Sequence, residues 1–177
     1  MKTTLTHAHK GLMVLAFCAL TVSTSFAQNA PNPQDVVAEK MPFNIPYGSP
    51  IGLEKAEQLL NTSLAEANKH DWKMNCTVVD QSCEMVSFKR MDNAQIASIS
   101  ISMHKARTAA KYRRETKLFE IAIQTNPYVA TLDDVIASRG GIPLVENGKL
   151  IGAIGCSGGT GAQDEVVAKA GAALINH

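Results

Sequence analysis

Aromatic side chains are scarce in this 177-residue chain, at 5% with a single Trp, so its core must rest on Ile, Leu, Val, Met and Ala. Excess charge of either sign is also missing. Seventeen Lys and Arg face 16 Asp and Glu, which excludes the basic surface that a nucleic acid or an anionic membrane needs. The sequence has no HExxH, no CxxC and no CxxCH, so zinc-peptidase chemistry and covalent haem attachment have no motif to stand on. Long apolar runs are absent too. The stretch over residues 11–22 falls short of the roughly 20 residues of a membrane span. There are no internal repeats or low-complexity tracts, and only four cysteines.

What is present at the N-terminus is a targeting pattern. Lys2 and Lys10 precede the apolar residues 11–22, and Ser25-Phe26-Ala27 fits a small-x-small cleavage site. The expected segments are a signal peptide over residues 1–27, a Pro-rich arm over 28–48 and one domain over 49–177. Gln28 is then the first mature residue, and the expected location is periplasmic or secreted. Phe17 before Cys18 is too bulky for a lipid-attachment site. Without Lys2 and Lys10 the mature chain holds 15 cations against 16 anions.

Cys76, Cys83 and Cys156 remain. With Gln81-Ser82 as the turn between two strands, Cys76 lies four positions from the Asp80 that faces Cys83, roughly 13 Å, too far for a bridge. Buried free cysteines are expected. The arm carries Pro31, Pro33, Pro42 and Pro46 without a sustained period and is expected to be disordered or draped on a neighbour.

Ser49-Pro50 is a good helix start, and Leu53, Ala56, Leu59, Leu60, Leu64 and Ala67 share one helical face. Two β runs follow, near 74–80 and 84–91. Asp92-Asn93-Ala94-Gln95 reads as a capping box. Behind it Ile99, Ile101 and Met103 alternate with serines as in a strand, while Ile96, Ile99, Met103, Ala106 and Ala110 recur at 3-4-3-4; the cap and the Ala-rich stretch that follows decide for a helix. Short helices are predicted over 117–124 and after a Thr131-Leu132-Asp133-Asp134 cap. Asn147-Gly148 between apolar runs predicts a hairpin with a type I′ turn. Thr160-Gly161-Ala162-Gln163 is another capping box, for a helix over 161–175. The order α-β-β-α-α-β-β-α predicts an α+β fold, an antiparallel sheet flanked by helices.

One polar stripe stands out on the long helix. His104, Arg107, Lys111 and Arg114 are spaced 3-4-3, an imidazole beside three cations. That suits a ligand with an apolar body and carboxylates, and haem is one, needing an axial donor and propionate partners. The same spacing also suits a plain solvated face. Gly155-Cys156-Ser157-Gly158 superficially resembles a nucleophile corner, with no histidine near it in sequence; a close-packed strand-to-helix turn is the preferred reading. The glycines that follow lack the Lys and Ser/Thr of a phosphate loop.

Residues 105–114, Thr116, Gly140-Gly141-Ile142-Pro143-Leu144, residues 151–159 and Gln163-Asp164 together resemble the GlcG/HbpS family, related to the C-terminal domain of PduO-type proteins. The resemblance runs from about Ser49 to the end. It implies profilin-like layering, symmetric homo-oligomers and haem or a related tetrapyrrole as ligand. Glu115 stands where the family commonly has Pro, and Cys156 where it often has Val. His104 is the expected iron and cofactor contact, with Thr116 and Tyr112 behind it and Arg107, Lys111 and Arg114 on the propionates. The expected role is haem sequestration, delivery or redox sensing rather than turnover. A haem-degrading or small-organic-acid enzyme and a ligand-free accessory subunit are the rivals.

Overall fold

A computed structural model of the chain describes residues 37–176. The proposed signal segment, the first part of the arm and His177 lie outside the described residues. The elements are α1 (Leu53–Lys69), β1 (Asn75–Asp80), β2 (Met85–Arg90), α2 (Ala97–Tyr112), α3 (Lys117–Ala122), β3 (Gly141–Glu146), β4 (Lys149–Ser157) and α4 (Gly161–Ala172). The four strands form one antiparallel sheet in the order β2-β1-β4-β3. α1 and α4 pack on one face, and α2 lies across β1, β4 and β3 on the other. This is the single α+β domain that the element order predicts.

Local chemistry accounts for two of the joints. Asn147 and Gly148 both adopt positive φ (51° and 73°), so β3 and β4 meet in the tight hairpin expected of Asn-Gly. Thr160 accepts from Gln163 N while the Gln163 side chain accepts from Thr160 N, forming the predicted capping box of α4.

Other joints differ from expectation. α1 starts at Leu53, not at Ser49-Pro50, because the backbone before it is spent on the sheet. Gly48 N and Ile51 N donate to Leu150 O and Ile151 O, and Ile51 is buried. The arm therefore lies, over its last residues, on its own domain. The turn after β1 is longer than Gln81-Ser82: Asp80 Oδ1 accepts from both Ser82 N and Glu84 N, and Cys76 pairs with Lys89 across the strands. Asp92 caps nothing; the residue before α2 is Ile96, without a side-chain cap. Thr131 starts no helix. It ends a 3-10 turn over Pro127–Thr131, and residues 132–139 run as turns and bends.

The cysteine expectation is corrected as well. Cys76 and Cys156 are direct cross-strand partners on β1 and β4, with Cα atoms 4.2 Å apart, and form a disulfide on the α1/α4 face. Cys83 is free. Exclusion of a Cys76–Cys83 bridge holds, but the true partner is 80 residues away in sequence.

α2 is a helix, as predicted, but turned. Ser98, Ser102, Lys105, Ala106 and Ala109 are buried against the sheet, while Ile96 is 74% exposed and Ile99 and Met103 are half-buried. Glycines opposite the helix explain this. A Cβ on Gly155 would run into Ser102 O and Ala106 N, and one on Gly141 into Lys105 O. The helix backbone nearly touches the strands, leaving room beneath it only for small side chains. Thr77 and Ser102 share a hydrogen bond of 2.9 Å there, and Ser157 and Ser98 one of 3.1 Å.

Candidate functional site at the outer face of α2

Because Ser98, Ser102, Lys105 and Ala109 take the inner face, His104, Arg107 and Lys111 are carried to the outer one. The structure brings these three together. It also places opposite them a feature that sequence reasoning assigned elsewhere, the Asp133-Asp134 turn.

Asp134 sits in the left-handed region (φ 56°), which aims its carboxylate back at the helix. Its Oδ2 accepts from Arg107 Nε at 3.1 Å and lies 3.8 Å from Lys111 Nζ. Its Oδ1 is 3.3 Å from His104 Nε2. Asp133 accepts from Lys111 Nζ, and its carbonyl accepts from Tyr112 OH. Thr108 fastens the turn, donating to Asp134 O at 3.0 Å and accepting from Ile136 N at 3.1 Å. The local charge is therefore close to balanced rather than strongly positive. The hydrogen bond to Asp134 raises the Arg107 guanidinium above its ordinary value, and that to Asp133 raises the Lys111 ammonium. Lys111 in turn holds the Asp133 carboxyl low.

His104 is the unusual member. Its Nε2 is buried and makes no hydrogen bond, since the Asp134 oxygen is near enough for a charge contact but not aligned to accept. With the ring proton on Nδ1, this unbonded nitrogen holds an unused lone pair, which fits a group that takes neutral imidazole as a ligand. Among the described residues, no three His, Cys, Asp or Glu side chains cluster to hold a bare metal ion.

Of the remaining predicted contacts, Tyr112 keeps its hydroxyl on the Asp133 turn, while Arg114 and Thr116 lie beyond the end of α2. Arg113 leaves α2 in the left-handed conformation (φ 55°) and turns Arg114 away. Arg114 stacks on Phe43 at 3.4 Å and on Phe119 at 5.1 Å. Burial lowers its guanidinium, with Arg113 adding to the effect. Tyr112 packs edge-on against Phe119. Thr116 is fully buried; its Oγ1 accepts from Gly141 N, pinning the start of β3.

Sequence reasoning counts Lys105 only with the surrounding cations, whereas the structure turns it inward. Its Nζ donates to Asp164 Oδ2 at 2.7 Å, with both side chains almost fully buried. The 4-3-4 spacing of Ser98, Ser102, Lys105 and Ala109 is the signal that marks it as inward. Residues 155–159 spell G-x-S-x-G, but Ser157 is buried on β4 and its hydroxyl goes to Ser98, so it is no nucleophile corner.

Residues 51–173 match the HbpS-like family, described as haem degrading protein HbpS-like. GlcG of Escherichia coli (strain K12) is 38% identical over 108 residues, 60% of this chain and 81% of that protein. Among solved structures, a double mutant of Streptomyces reticuli HbpS superposes with a TM-score of 0.69 at 25% identity, covering 80% of this chain and 97% of that one. A PduOC:heme complex superposes with a TM-score of 0.66 at 25% identity, covering 72% and 96%.

Proposed function

The chain belongs to the HbpS-like family, and from that premise we propose that it is an exported haem-binding protein whose ligand sits on the outer face of α2. His104 carries the proposal, because its Nε2 is buried without a hydrogen bond on a face that also holds two cations. The PduOC neighbour, solved with heme, supports the same ligand class. When bound, haem supplies a redox-active iron and a strongly absorbing macrocycle.

His104 would hold the iron, and Arg107 and Lys111 would pair with propionates in place of Asp133 and Asp134. The Asp133 side chain is 87% exposed and gives way easily, whereas Asp134 is tied by Thr108. Arg114, beyond the helix end and stacked on Phe43, would add a third cation only once that ring gives way. The biological role proposed is sequestration, delivery or redox sensing. Export draws support from the N-terminal targeting pattern and from the buried Cys76–Cys156 bond, since disulfides persist in oxidising compartments. Assembly into homo-oligomers completes the proposal. Exposed Ile96, Ile121 and Tyr128 offer apolar surface for it. Among the described residues no helix is long and apolar enough to cross a membrane.

The family description names haem degradation, so turnover is the second reading. A hemin titration of the chain from Gln28 tests both. Binding predicts a saturable Soret shift that persists with a reductant in air; turnover predicts its loss under those conditions. No shift above a nonspecific background defeats both readings.

A further inference from the structure

Just past the end of α2 from the proposed haem face, Arg114 already has an internal partner. Phe43, on the N-terminal arm, lays its ring 3.4 Å from the Arg114 guanidinium, while Phe119 lies 5.1 Å away from the same group. A flat cation between two rings is the arrangement that an aromatic macrocycle bearing carboxylates would also make.

The two rings are held very differently. Phe119 belongs to α3 and is buried. Phe43 belongs to irregular chain and is half-buried, with exposed Met41, Pro42 and Asn44 around it. Downstream the arm is fastened: Gly48 N donates to Leu150 O, Leu150 N to Pro46 O, and Arg113 Nη1 to Ile45 O at 2.9 Å. Among the described contacts, nothing but the guanidinium stacking retains Phe43 itself. The fastened segment 45–48 makes an anchor, and Asn44 is the joint beyond it.

Resting on the haem-binding reading, we propose that residues 41–44 form a strap whose Phe43 ring occupies the ligand's place on Arg114 and must leave when the tetrapyrrole binds. A cation–π contact at a half-exposed site contributes about 0.5–1 kcal/mol, so removing the ring should tighten apparent hemin binding about two- to fivefold. The strap thus sets a threshold for loading.

The experiment compares hemin titrations of wild type, Phe43→Ala and Phe43→Trp, with hydrogen exchange of residues 41–47 before and after saturation. The strap predicts tighter binding by Phe43→Ala, wild-type-like binding by Phe43→Trp, and faster exchange over 41–44 once hemin is bound. Unchanged or weaker binding by Phe43→Ala, with exchange over 41–44 unchanged or slowed, would overturn the strap while leaving haem binding intact. Absence of a Soret shift in all three proteins would instead overturn the haem reading, and the strap with it.

Discussion

Lys105 Nζ and Asp164 Oδ2 lie 2.7 Å apart inside the protein, joining the inner face of α2 to the first turn of α4. Asp164 also accepts from Gly159 N, so one carboxylate serves an ion pair and the strand-to-helix corner together. Burial raises its carboxyl and Lys105 opposes that rise. The pair ties α2 to the strand-to-helix corner, one residue from His104.

Breaking the pair should therefore be costly. Lys105→Met leaves a buried carboxylate without its cation, and a loss of about 3–5 kcal/mol in urea unfolding is expected. Lys105→Met with Asp164→Leu should recover part of it. A loss below 1 kcal/mol for the single variant would show that the pair is not buried as described.

The cross-strand disulfide gives a chemical prediction. Alkylation of the unfolded, unreduced protein should modify Cys83 and spare Cys76 and Cys156, as read by peptide mass. Replacing both bonded cysteines by Ala should cost about 2–5 kcal/mol, since the bond closes a loop of 80 residues. Labelling of Cys156 in unreduced protein would contradict the pairing.

Gly155→Ala should disturb the contact between α2 and β4, where a methyl group meets Ser102 O and Ala106 N. Overpacking of this kind costs about 1–3 kcal/mol. Because the helix must move outward, near-ultraviolet circular dichroism should change along with stability. Gly148→Ala, with open space around its Cβ position, should leave the near-ultraviolet signal alone and pay only for its positive φ.

Acid should weaken the patch beneath α3. Glu120 is held below its ordinary value first by its hydrogen bond to Arg139, so its folded pKa is depressed. Its contribution is present above the unfolded value of about 4.3 and is lost as pH falls through the folded one. Asp164 works in the opposite sense because burial raises it. The difference between wild type and Glu120→Gln therefore isolates the effect. Wild type should lose more thermal stability than the variant below about pH 4.3, and parallel acid limbs would rule the contribution out.

Features set by neighbours in the chain are legible in the sequence. Asn147-Gly148 needs only its own backbone preference to make the hairpin, and Thr160 with Gln163 caps α4 within one turn. Features set across the fold are not. Cys76 meets Cys156 because β1 pairs with β4, a choice no local pattern records. The inward face of α2 is decided by Gly141 and Gly155, which lie far along the chain and exclude large side chains beneath the helix. A hydrophobic period was thus a poor guide where the interface is built from Ser and Ala. The cationic stripe was visible at 3-4-3 spacing, yet its partners were not, since Asp133 and Asp134 look from the sequence like a helix cap. Ser49-Pro50 has every local mark of a helix start, but the backbone on either side of it, at Gly48 and Ile51, is claimed by Leu150 and Ile151.

The most direct test of the haem assignment is a hemin titration of wild type beside His104→Ala, followed at the Soret band. A saturable shift near one haem per chain or per dimer in wild type, displaced and weakened at least tenfold in the variant, about 1.4 kcal/mol, is the predicted result. An identical band and affinity in His104→Ala would contradict it, leaving haem bound elsewhere than the outer face of α2.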